Sequence, residues 1–180
     1  SNEFFGVLKG KGSPAEKAKA EWGLFQSLSK MKLYYSSSRY LLQIAKRGEK
    51  RNNPFFQKAF QSLGPFNKKA NLNTPQLMEI TKYNTSLRGI KEPSRSLLEY
   101  HRGITQFQLT QFKKAEKNFR DVSKKSPYYL KSLFHLGVIS VLTSQLQKGI
   151  SFFEEVPDEA AVPTISYSST YTTDSATISI

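Results

Sequence analysis

Between Leu97 and Val156 the apolar residues recur at helix spacing in two rounds. Gly103 and Gly137 are 34 residues apart, and so are Ala115 and Gly149, Phe119 and Phe153, Val122 and Val156, and His101 and His135. Each round opens with one helix-period segment, from Leu97 in the first and Lys131 in the second. A second segment then carries Phe112, Ala115, Phe119 and Val122, or Leu146, Gly149, Phe153 and Val156. A period of this length predicts a helix pair that cannot bury its apolar face alone and must stack on a neighbour. The expected fold class is all-α: stacked antiparallel helix hairpins, an α-solenoid with an irregular C-terminal tail.

Upstream, the same reading predicts four further helices. Ser13-Pro14 signals a start for a helix over 14–32, with Ala18, Trp22, Phe25 and Leu28 on one face. Ser36–Ser38 could cap a second helix running to Arg47. Asn53-Pro54 opens a short third that Gly64-Pro65 ends, with Phe66–Asn73 as a polar connection. Thr74-Pro75 begins a fourth over 75–90, before Glu92-Pro93. Pro93 lies 34 residues before Pro127, a hint of degenerate repeats in the first half. Residues 1–13 then read as an extension, 14–95 as a basic helical region, 96–156 as the repeats and 157–180 as a tail. From Thr164 to Ile180, Ser and Thr make up 10 of 17 residues, with no helix period. That tail could instead add a strand to a partner. The last apolar face of the solenoid is expected to be covered by the tail, by continuing chain or by another molecule.

These positions resemble the tetratricopeptide repeat. Gly103 and Gly137 match that family's small residue where the two helices touch. Ala115 and Gly149 match its small residue early in the second helix, Phe119 and Phe153 the aromatic four residues later, and Pro127 the terminal proline. The resemblance covers about a third of the chain. It implies ligand-facing positions on the first helix of each unit: Leu97, Tyr100, His101, Ile104, Phe107 and Gln108, then Lys131, Phe134, His135, Val138, Val141 and Leu142. Of these, Tyr100, His101, Ile104, Phe107, Phe134, His135, Val138 and Val141 are the candidate partner-binding residues. Such a row, if open, suits an apolar helix or extended segment; if covered, it is core.

Composition narrows the chemistry. The chain has 180 residues, 38% hydrophobic and 13% aromatic, enough for a substantial core. It contains no cysteine, which excludes disulfides, thiolate metal sites and a cysteine nucleophile. A cysteine-free chain is tolerated in the cytosol and favoured where oxidation is a hazard, so the balance leans extracytoplasmic. No stretch approaches the roughly 18 apolar residues of a membrane helix. The opening Ser reads as part of a processed or longer chain. The net charge of +13 is lopsided: residues 1–91 hold 17 Lys+Arg against 5 Asp+Glu, residues 92–180 only 10 against 9. Such a half either solvates a helical surface or attracts an anionic partner.

His101 and His135 occupy equivalent positions, and neighbouring helices lie roughly 8–10 Å apart, so the two imidazoles could face one groove. Without a third ligand they make a poor metal site, and no metal or cofactor is expected. No HExxH, phosphate loop or GxSxG elbow occurs. Glu154-Glu155 reads as a solvated helix end, and Asn84-Thr85-Ser86 fits a glycosylation acceptor. The function expected is therefore a non-enzymatic scaffold that binds an apolar helical or extended segment of a protein partner. The alternative is a basic adaptor that holds nucleic acid, another anionic polymer or a membrane surface through residues 1–91. Its stacking aromatics would be Trp22, Tyr34, Tyr35, Tyr40, Phe55 and Phe56.

Overall fold

The computed structural model describes residues 2–10, 12–47, 53–72, 74–83, 87 and 89–157. Among them the fold is all-α, with no strand: α1 Asn2–Lys9, α2 Pro14–Lys30, α3 Tyr34–Arg47, α4 Phe56–Ala70, α5 Thr74–Tyr83, α6 Ser94–Gln108, α7 Phe112–Arg120, α8 Tyr129–Leu142 and α9 Leu146–Glu154. The C-terminal tail lies outside the described residues, as does Asn84-Thr85-Ser86. No described helix is long and apolar enough to cross a membrane.

The first half departs from expectation at four places. The N-terminal segment is not a bare extension: α1 packs on α2, where an added Cβ at Gly23 would lie 2.6 Å from the Phe4 ring. α2 begins as expected, its start held by a capping box in which the Ser13 amide donates to Glu16 and the Glu16 amide to Ser13 Oγ. α3 starts earlier than the serines. Ser37 is fully buried and its hydroxyl donates to the Phe25 carbonyl at 2.9 Å, so it ties α3 to α2 rather than capping anything. Of the helix expected over 75–90, α5 accounts for the part to Tyr83, and Leu87, Gly89 and Ile90 are not helical.

The most informative departure is Gly64-Pro65, which does not stop α4. A proline inside a helix leaves the carbonyl four residues earlier without a donor. Here that carbonyl is Gln61, and it accepts instead from the Ser94 hydroxyl at 2.7 Å, while the Gly64 amide donates to Ser94 Oγ at 2.8 Å. Ser94 is fully buried at the start of α6. Gly64 permits the approach, since a Cβ there would sit 2.5 Å from the Ser94 nitrogen. The Gln61 side chain adds two bonds to the Lys91 backbone, 2.8 Å to its amide and 3.2 Å to its carbonyl. A local breaker is thus rescued by a residue 30 positions away.

In the second half, α7 and α9 share a 34-residue offset at both ends. Both first-helix glycines receive the aromatic of their own second helix: a Cβ would lie 2.6 Å from the Phe119 ring at Gly103 and 2.5 Å from Phe153 at Gly137. The turns repeat as well. Thr110 and Ser144 are left-handed (φ 56° and 61°). Their amides bond Phe107 and Val141 carbonyls, and the next amides reach back to Gln106 and Ser140. This is a Schellman motif built without glycine. Lys32, at φ 58°, ends α2 in the same way, its amide bonded to Ser29 and that of Leu33 to Leu28. Three hairpins, α2–α3, α6–α7 and α8–α9, therefore share one turn, whereas α4 and α5 each pack chiefly on α3 and α6.

Two cores result, and α6 walls both. Leu97 and Leu98 complete a cluster with Phe25, Leu41, Ile44, Phe60, Leu63 and Ile80. Tyr100 and Phe107 belong to a second, with Phe119, Val122, Leu133, Leu136 and Ile139. Gln106, a polar position of α6, is accommodated across the hairpin, where Asn118 of α7 bonds its side chain.

Two outcomes follow for stability. Ser94→Ala should lower the urea midpoint by the equivalent of about 1–3 kcal/mol, because the Gln61 carbonyl loses its buried donor. Pro65→Ala should shrink that loss by restoring the helical amide; equal effects of Ser94→Ala in both backgrounds would show the rescue is absent. Thr110→Gly should raise stability by roughly 0.5–1 kcal/mol, since a β-branched residue in the left-handed region is strained by more than glycine loses in entropy. A lowered melting temperature would rule that out.

Candidate partner-binding site

The row expected to line a groove on α6 and α8 divides by depth. Tyr100, His101, Phe107 and His135 are 7, 3, 4 and 4% exposed; they are core, and a partner cannot touch them. Ile104, Phe134 and Val138 are half-buried, and Val141 is 44% exposed. The first-unit half of the row is covered because α8 packs against α7 and lays His135 over the face that α6 and α7 share.

His135 is caged by rings. It stacks on Phe119 at 4.9 Å between centroids and 9° between planes, with Phe107 at 5.6 Å and Tyr100 at 5.9 Å. Its Nε2 lies 3.4 Å from the Tyr100 hydroxyl, long for a hydrogen bond, and its buried Nδ1 has no partner. His101 is held differently. Its Nδ1 is 2.7 Å from the Leu97 carbonyl, to which it donates, and its ring meets Tyr100 and Tyr128 edge-on. Tyr128 also stacks on Tyr100 and accepts from Asn67 of α4, joining the two halves of the molecule.

Burial sets the electrostatics. Desolvation holds both imidazoles down to about 4, assisted at His101 by nearby Lys131 and opposed there by the Leu97 carbonyl, so both are neutral near pH 7. Burial likewise pushes the Tyr100 phenol up to about 12 and raises the Glu99 carboxyl, which Arg102 partly offsets. Among the described residues no three His, Cys, Asp or Glu side chains converge as metal ligands. The two histidines act as fillers of an aromatic core.

What remains accessible lies one unit further on. Val141, Leu142, Leu146 and Ile150 are 44, 47, 62 and 49% exposed on α8 and α9, beside half-buried Phe134 and Phe153. Leu146 and Ile150, on the second helix, fall outside the row taken from first helices. A signal for Ile150, as for Leu142, was present in the repeat itself: Glu116 and Gln108 of the first unit stand where the second has these two residues.

The basic half offers little stacking surface. Of its named aromatics only Tyr35 is exposed; Trp22, Tyr34, Tyr40, Phe55 and Phe56 pack against the first core, with Trp22 stacked on Phe55 at 5.5 Å. Lys68 of this half edges a cleft of about 200 Å³ between α4, the start of α6 and the 123–128 connection, where it stands exposed with Lys125 of the second half and with Asn67, Glu92, Ser126 and Tyr128. Compared with protein families, with curated proteins and with solved structures, the chain matches none.

The neutral histidines predict acid sensitivity. Each binds a proton more readily when unfolded, so its contribution is fully present above about pH 6.5 and is lost as the pH falls from there towards 4. Between pH 7 and 5 the loss should be roughly 1–2 kcal/mol per histidine, with Glu99, whose raised carboxyl favours the folded state on acidification, working in the opposite sense. Urea titrations of the parent and His135→Leu across this range would read the change. A variant with the same slope as the parent would show that His135 takes up its proton alike in the folded and unfolded chain.

Proposed function

We propose that this chain is a non-enzymatic helical-repeat scaffold, its second half two units of the tetratricopeptide type, and that it holds a protein partner on the apolar face of α8 and α9. One observation carries the reading. The first unit buries Phe107 and Phe119 under the next helix, whereas among the described residues no helix covers their equivalents Val141 and Phe153 in that way, and Leu146 and Ile150 are largely open. Contiguous apolar surface of this kind marks a place of contact. The repeated glycine–aromatic contact and the repeated turn support the family resemblance.

A second reading rests on the basic excess of residues 1–91, whose Lys68 meets Lys125 of the second half across a cleft: an anionic polymer tracked by α4 and its neighbours. Salt separates the two, since phosphate-dominated binding falls steeply with added salt and apolar docking does not.

The test is affinity capture at low and high salt with the parent and with Leu146→Lys/Ile150→Lys, both at exposed positions. A partner retained by the parent in high salt and reduced at least tenfold by the double variant is the expected result. A partner lost with salt and indifferent to the variant would move the site to residues 1–91.

A further inference from the structure

The interface inside the molecule describes what the end face should bind, given that this face is the docking site. In the first unit the face formed by Tyr100, Phe107 and Phe119 is covered by α8, which places one side chain, His135, among the three rings. The equivalent trio in the second unit is Phe134, Val141 and Phe153, at the same 34-residue offset. Its geometry is prepared in the same way, for Phe153 lies against Gly137 as Phe119 lies against Gly103. The end face continues that interface by one repeat step.

The chemistry of the two cages differs in a direction that selects the guest. Phe134 replaces Tyr100, so the hydroxyl that stands 3.4 Å from the His135 imidazole has no equivalent. Val141 replaces Phe107, which leaves more room, and Ile150 replaces Glu116, whose carboxylate is paired with Lys148 across the first interface at 2.8 Å. A buried polar guest would have no partner here. The far end of α9 carries exposed Glu154 and Glu155 beside the negative end of the helix dipole, which favours cations on whatever lies alongside.

We infer that the face takes an amphipathic helix of a separate protein, laid down as α8 lies on α6 and α7. Its central side chain is a large apolar one, Leu, Met or Phe, seated among Phe134, Val141 and Phe153, with basic residues towards Glu154 and Glu155. This assignment rests on the docking reading above and adds the form and chemistry of the partner.

Two fluorescent peptides test it: residues 127–143 of this chain, one with the natural sequence and one carrying His135→Leu. The full chain should bind the Leu peptide saturably and at least tenfold more tightly than the His peptide at pH 7.5, and Leu146→Lys/Ile150→Lys, checked for unchanged urea midpoint, should weaken it at least tenfold. Leu142→Lys serves if the double variant unfolds. Equal binding by parent and variants overturns the inference and the docking reading together. A chain whose cellular partner is lost in the variant, but which ignores both peptides or prefers the His form, overturns the helix assignment alone. Two other occupants are read separately. A dimer in sedimentation equilibrium that Ile150→Lys dissociates would assign the face to a second copy. Because the chain has no cysteine, a disulfide forming within single molecules of Ile150→Cys/Ser169→Cys would assign it to the chain's own C-terminal segment. Either result overturns the inference.

Discussion

The burial of α6 on both sides is the constraint on which the other helices depend. A helix that faces water on one side needs only one apolar stripe, but α6 closes one core with Leu97 and Leu98 and a second with Tyr100 and Phe107. Its neighbours can approach only where side chains are small. Ser94 meets the α4 backbone at Gly64, and Gly103 admits Phe119. At the first of these contacts the packing also settles a hydrogen-bond deficit, because the serine that fits is the one that serves the carbonyl stranded by Pro65. Close approach and polar satisfaction are therefore one feature.

The second consequence is a core in which rings interlock among aliphatic groups. Tyr100, Tyr128, Phe107, Phe119 and the two histidines interlock through edge and face contacts, whose geometry adds direction to burial. Imidazole does this work only while neutral, which couples the integrity of the junction between units to pH. The same junction buries one Glu99 carboxylate oxygen without a hydrogen-bond partner. Polar groups here are tolerated because the surrounding helices over-determine their positions.

The end of the stack is a different kind of surface. A solenoid closed by its own last unit presents a polar outer face. Here the substitutions run the other way, with apolar Leu142 and Ile150 where the preceding unit has Gln108 and Glu116. Apolar residues have been placed on a face of α8 and α9 that no described helix covers, and this gives the scaffold proposal its location.

By itself the sequence determined the helical class, the 34-residue period and the two small–aromatic contacts, because these depend on spacing within one or two turns and on side-chain volume at fixed offsets. The start of α2 was legible for the same reason, since a capping box is local. What the sequence could not decide was the outcome wherever local preference met a distant partner. Gly64-Pro65 reads as a stop until Ser94 supplies the missing donor, and Ser36–Ser38 reads as a cap until Ser37 turns inward to Phe25. The Schellman turns at Lys32, Thr110 and Ser144 lack the glycine that would announce them. Above all, the candidate row on the first helices could be named but not assigned to groove or core. Tyr100, Phe107 and Val141 are alike in pattern, and it is α8 that buries the first two, whereas no described helix covers the third. Exposure is a property of neighbours, and the neighbours of a helix face are set by tertiary packing.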